Sequence, residues 1–123
     1  MRQIKILVVD DHPEVLKQVE TRLSYEKEFD VYKVASLSNV EEGVAECLPE
    51  ILLIDPYNNG FDFDCIRLAK RIRPSLTVIV LTAVVDISSH NDLRRAGADH
   101  ILEKCIDSDE LVSTLRKVVV SKE

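Results

Sequence analysis

The sequence holds only three cysteines, Cys47, Cys65 and Cys105, far apart and odd in number. No CxxC pair occurs, and no histidine stands at zinc-finger spacing from them, which argues against a cysteine-based zinc site. All three are expected to be buried, reduced thiols. Long hydrophobic runs are missing as well: none approaches the ~18–20 residues that span a bilayer. The apolar run near the N-terminus is closed by two acids, with no small-residue cleavage site after it. It reads as a buried strand rather than a leader, so the expected compartment is the cytoplasm, with no membrane partner. Positive charge is in short supply, with 16 Lys and Arg against 22 Asp and Glu and a net charge of −6. An acidic domain is a poor candidate for direct nucleic-acid contact, and Lys70-Arg71-Arg73 is too small a patch to reverse that.

What the sequence does have is an alternation. Hydrophobic residues make up 46% and charged residues 31% of 123 residues, which suits one soluble domain with a core, taken as residues 1–123. Ile4 to Val9, broken only by Lys5, suits a strand buried on both faces. Pro13 then opens a helix with Val15, Leu16, Val19 and Leu23 on one face. A strand over Val31–Ala35 precedes a helix capped by Ser38 or Asn39 that runs through Val40, Val44 and Leu48, with Pro49 ending it. Ile51 to Ile54 is a third strand that stops at Asp55. Pro56 to Gly60 has turn chemistry. A helix marked by Cys65, Ile66, Ala69 and Ile72 runs up to Pro74. Leu76 to Leu81 forms the fourth strand. Ile87 to Ala96 is a helix with Gly97 as its stop. A short strand over His100–Leu102 leads to a last helix, capped by Asp107 or Ser108, with Leu111, Leu115, Val118 and Val119 on its apolar face. Five β-α repeats predict a parallel sheet covered by helices on both sides.

Most of these strands run out into a polar residue at the C-terminal end: Asp10-Asp11 after the first, Asp55 after the third, Thr82 at the fourth, Lys104 after the fifth. Taken singly each has a plain reading. Asp11 suits a helix cap, Asp55 a turn acid, Thr82 a strand residue and Lys104 a surface lysine. Taken together they lie where open α/β sheets bind ligands, outside the carboxyl ends of the strands. Three carboxylates in one cleft repel one another, and a divalent cation removes that cost. Mg²⁺ takes oxygen ligands, keeps several waters, and accepts one or two carboxylates plus a phosphate. Asp55 would then be a nucleophile toward a phosphoryl group, with Lys104 and Thr82 serving its oxygens. His12, beside the acidic pair, reads as an exposed residue of the first helical turn more readily than as a ligand.

With those residues in place the whole chain resembles the response-regulator receiver domains, the CheY-like superfamily of two-component signalling. The resemblance is carried by ILVVDDHPEV, ILLIDP, VIVLTA and AGADHILEK in that order. It implies a flavodoxin-like (βα)5 fold with strand order 2-1-3-4-5. It implies Asp55 as phosphoacceptor, and Mg²⁺ held by Asp11, Asp55 and the Tyr57 backbone carbonyl, with Asp10 acting mainly through a metal-bound water. Thr82 and Lys104 become the switch hydroxyl and the phosphate-binding lysine. The implied partners are a sensor histidine kinase or phosphotransfer protein, an effector domain or downstream protein, and a second copy through the helix 4–strand 5–helix 5 face. Such a domain assists its own phosphorylation and dephosphorylation and is not an enzyme with a separate substrate.

The chain departs from the family pattern in three places. Met-Pro three and four residues after the acceptor is replaced by Asn58-Asn59, the glycine four positions further on by Phe63, and Pro56 follows Asp55 directly. Cys105 replaces the proline after Lys104, so that peptide is expected to be trans. Ile101 stands where an aromatic switch residue is usual. These changes keep open the alternative of a pseudo-receiver, a protein-interaction module that works without phosphorylation. A haloacid-dehalogenase-type phosphatase requires Asp-x-Asp after the first strand. Here only Asp62-Phe63-Asp64 reads that way, and it is expected to open a helix.

Overall fold

The computed structural model describes residues 3–58, 60–84 and 86–122, so Asn59 of the altered turn lies outside the described residues. Five strands form one parallel sheet in the order β2-β1-β3-β4-β5, with β1 at Ile4–Val9, β2 at Phe29–Val34, β3 at Ile51–Ile54, β4 at Thr77–Thr82 and β5 at His100–Glu103. The helices that connect them are α1 (Pro13–Ser24), α2 (Val40–Cys47), α3 (Phe63–Ile72) and α4 (Ile87–Ala96), and α5 (Ser108–Lys122) closes the chain.

The three central strands explain the layering. Side chains alternate across a strand, so a strand covered on both sides must be apolar at every position. In β1, Ile6 and Val8 enter one core while Leu7 and Val9 enter the other, and β3 and β4 split in the same way. The first core is closed by Leu16 and Leu23 of α1 and by Leu111, Leu115 and Val118 of α5. The second is closed by Val40 and Val44 of α2, Ile66 and Ala69 of α3, and Leu93 of α4. Among the described residues no helix is long and apolar enough to cross a membrane.

Several local expectations are corrected. Strand β2 starts at Phe29 rather than Val31, because Phe29 and Asp30 already pair with Ile4 and Lys5. The turn before α2 is capped earlier than expected. The Ser36 hydroxyl accepts from Ser38 N over a short 3-10 turn at Leu37–Asn39, and Asn39 makes no side-chain cap. Asp11 is not a helix cap, since His12 holds that position in α1. The thiols are not all buried: Cys65 is, Cys47 is half-buried, and Cys105 is exposed. No peptide bond among the described residues is cis, in line with the trans Lys104–Cys105 peptide expected.

Two other features follow the sequence reading. Asp62 accepts a hydrogen bond from Cys65 N at 3.1 Å and so caps α3, while Asp64 pairs with Arg67 at 2.8 Å. The Asp-x-Asp therefore serves a helix start. Gly97 ends α4 at φ 126, a backbone conformation that other residues adopt only with strain.

Candidate functional site

Strand order decides which polar residues meet. Val9 pairs with Ile54, and Asp55 N donates to Val9 O at 3.0 Å, so Asp10 and Asp55 leave adjacent strands side by side. On the other flank Thr82 pairs with Glu103, and Lys104 N donates to Thr82 O at 2.9 Å. Residues separated by up to 94 positions thus converge at one end of the sheet, where β1 and β3 diverge from their sequence order.

The acids are deeply set. Asp10 and Asp55 keep 4% and 5% of their surface exposed, and Thr82 keeps 1%. Buried carboxylates need a counter-charge, and Lys104 provides one. Its Nζ lies 2.5 Å from Asp55 Oδ2 and 3.0 Å from Asp10 Oδ2. Burial works against the ammonium, but hydrogen bonds and attraction from Asp55 and Asp10 outweigh it, and the Lys104 pKa is raised. The other oxygens point elsewhere. Asp55 Oδ1 accepts from Tyr57 N at 3.2 Å, and Asp10 Oδ1 accepts from His12 N at 2.9 Å. The Thr82 hydroxyl accepts from Val84 N at 3.2 Å.

The loop after Asp55 is reshaped. Tyr57 and Phe61 form an antiparallel bridge, and their rings meet edge to face at 5.0 Å. Asp62 N donates to Pro56 O at 2.8 Å and closes the small hairpin. Pro56 has no N–H of its own, and the turn takes its donors from Tyr57, Asn58 and Asp62. In β5, Ile101 packs into the second core and Leu102 against the first, which leaves His100 exposed.

His12 stands exposed at the entry to α1, as expected. Its ring is largely exposed, yet Nδ1 lies 2.8 Å from Asp10 Oδ1 and 3.1 Å from Asp11 Oδ1. The second contact makes no hydrogen bond, and Asp11 Oδ1 is buried with no hydrogen-bond partner. Ligand atoms of Asp10, His12 and Asp55 all fall within 4.8 Å of one another. One ammonium serves two of the three acids, and an orphaned carboxylate oxygen remains. That donor set fits a divalent cation.

The family model for the response regulator receiver domain matches residues 6–116. The chain belongs to that family. Receiver domains are phosphoacceptors of two-component response regulators rather than turnover enzymes. This receiver is similar to the nitrate/nitrite response regulator protein homolog of Haemophilus influenzae, at 24% identity over 94% of this chain and 57% of that protein. It is similar to the transcriptional regulatory protein KdpE of Mycobacterium tuberculosis, at 29% identity over 93% of this chain and 50% of that protein. The chain spans about half the length of these curated relatives. Among solved structures it superposes on a CheY-like receiver domain protein from Methanospirillum hungatei JF-1 with a TM-score of 0.88, at 18% identity over 97% of this chain and 95% of that one. It also superposes on the BeF3-activated DrrB receiver domain with a TM-score of 0.84, at 24% identity over 95% of this chain and 97% of that one. At these identities the structural matches speak for the fold, and the fold agrees with the 2-1-3-4-5 order expected.

Proposed function

We propose that this receiver, as a single domain over residues 1–123, works as a phosphoacceptor. Asp55 takes a phosphoryl group from the phosphohistidine of a sensor histidine kinase or phosphotransfer protein in the cytoplasm. The observation that carries this reading is the Lys104 ammonium placed on the Oδ2 oxygens of both Asp55 and Asp10. Phosphoryl transfer is mostly positioning and neutralisation of spreading negative charge, and a half-buried ammonium against the acceptor supplies both.

In the reaction an Asp55 carboxylate oxygen forms the new O–P bond while the donor's N–P bond breaks, its electron pair returning to the imidazole. Asp10, Asp11, Asp55 and the Tyr57 backbone carbonyl would hold Mg²⁺. The ion, when bound, offsets the carboxylates' repulsion and the charge on the phosphoryl oxygens. Lys104 passes from the Asp55 carboxylate to a phosphoryl oxygen. The Thr82 hydroxyl, held by Val84 N, turns to donate to another. That turn moves the start of the β4–α4 connection and carries the signal to the α4–β5–α5 face, where an effector, a downstream protein or a second copy would dock. With Ile101 in place of an aromatic, the relay runs through Thr82 alone.

A second reading, an interaction module that is never phosphorylated, is favoured by the Tyr57–Phe61 hairpin beside the acceptor. Incubation with Mg²⁺ and acetyl phosphate, followed by intact mass, separates the two. The working receiver gains one phosphoryl group, and gains none with Asp55→Asn or with chelator. A folded, Mg²⁺-bound protein that gains none is the interaction module.

A further inference from the structure

We propose that His12 is a nitrogen ligand in the cation pocket, and that the pocket therefore accepts borderline divalent ions such as Zn²⁺ and Mn²⁺ through a mixed imidazole–carboxylate set. This rests on the reading of the acidic cluster as a cation site and adds a donor to it.

Three observations lead there. First, His12 stands at the N-terminal boundary of α1 with a β-region backbone, and its side chain caps no helix N–H. The ring instead turns back onto the acids. Second, the spacing is that of ligands around one ion. Neighbouring ligand atoms at ~2.1 Å from an octahedral ion lie about 3 Å apart. His12 Nδ1 sits at 2.8 Å from Asp10 Oδ1 and 3.1 Å from Asp11 Oδ1, so one ion can replace the proton shared between ring and carboxylate. Third, Asp11 Oδ1, the second acid oxygen facing the ring nitrogen, is buried without a hydrogen bond. A buried carboxylate oxygen left unpaired is costly, and a cation beside it removes the cost.

Imidazole shifts preference away from Mg²⁺, which favours oxygen, toward ions later in the divalent series. His12 therefore changes which ion the pocket selects more than whether it selects one.

The test uses the whole chain with Mn²⁺ and Zn²⁺ as probes, at one fixed pH. Pulsed electron paramagnetic resonance of bound Mn²⁺ reads nitrogen coupling directly, and the chain's only other histidines are His90 and His100. The expected result is a nitrogen coupling in the wild type that disappears in His12→Ala. Zn²⁺ affinity should fall about tenfold or more in that variant while Mg²⁺ affinity changes little. Mn²⁺ bound without nitrogen coupling, or with coupling that survives His12→Ala, overturns the inference and leaves the acidic cation site standing. No bound Mn²⁺ at all removes both. Circular dichroism of His12→Ala confirms that the variant compared is folded.

Discussion

The Lys104 ammonium lies 2.5 Å from Asp55 Oδ2, tying the end of β5 to the end of β3 across the intervening β4. The same nitrogen reaches Asp10 Oδ2 at 3.0 Å, so a single cation holds two buried acids from two further strands. Removing it leaves carboxylates that cannot be solvated and that repel one another.

Lys104→Met is therefore expected to lower stability by about 3 kcal/mol in Mg²⁺-free buffer, read from urea unfolding. Saturating Mg²⁺ should recover much of the loss, because an ion that binds only the folded state stabilises it. The pH dependence has a definite sign. The Lys104 pKa is raised above 10.5, so its contribution is complete below that pH and is lost as pH climbs through the raised value. The wild type should thus shed this increment in strong alkali, and Lys104→Met should have none to shed. Equal stability of the two proteins at neutral pH would show that the ion pair is not worth its desolvation.

The thiols differ by burial. Burial pushes the Cys65 thiol up to about 12, whereas Cys105 is exposed beside Lys104. A thiol reagent at mildly alkaline pH should modify Cys105 rapidly and leave Cys65 untouched in the folded protein. An unfolded Cys65 ionises near 9, so folding should weaken progressively between pH 9 and about 12, and Cys65→Ala should flatten that part of the profile. Peptide mapping after alkylation and urea midpoints against pH read the two effects separately. Modification of Cys65 as fast as Cys105 would contradict the buried placement.

Gly97 is held at φ 126, and a Cβ there would meet Lys70 Cγ at 3.1 Å. Gly97→Ala should cost about 1–2 kcal/mol, mainly from the backbone conformation, because Lys70 is flexible enough to move. Thermal unfolding measures this. A neutral effect would mean that the turn relaxes out of the positive-φ region.

Most of the fold could be read from the chain because its signals are local. The α4 boundaries at Ile87 and Ala96 follow from helical spacing and a glycine stop, and β1 and β3 follow from unbroken apolar runs. The start of β2 was not legible. Asp30 breaks the apolar pattern there, and only its pairing with Lys5 makes it strand. The cap at Ser36 was missed because a 3-10 turn precedes α2 and moves the capping position back. The exposure of Cys105 depends on the β5–α5 loop, which carries no burial signal of its own.

The site was legible as a set of strand ends but not as a network. That Asp10, Asp55, Thr82 and Lys104 share one end of the sheet follows from parallel β-α repeats. That Lys104 bridges Asp55 and Asp10 depends on register between β4 and β5, which no local pattern encodes. The same holds for the His12 ring. Its position next to two aspartates was visible, but its inward turn depends on the backbone angles at His12.

The central claim concerns one oxygen atom, and the most direct measurement locates the phosphoryl group. The protein is loaded with acetyl phosphate and Mg²⁺, the acyl phosphate is trapped by borohydride reduction, and the chain is mapped by peptide mass. Reduction converts an aspartyl phosphate to homoserine, so the label survives digestion. The account predicts homoserine at position 55 alone, with Asp10 and Asp11 intact. Label at Asp10 or Asp11, or on none of the three in a folded, Mg²⁺-bound protein, would contradict it.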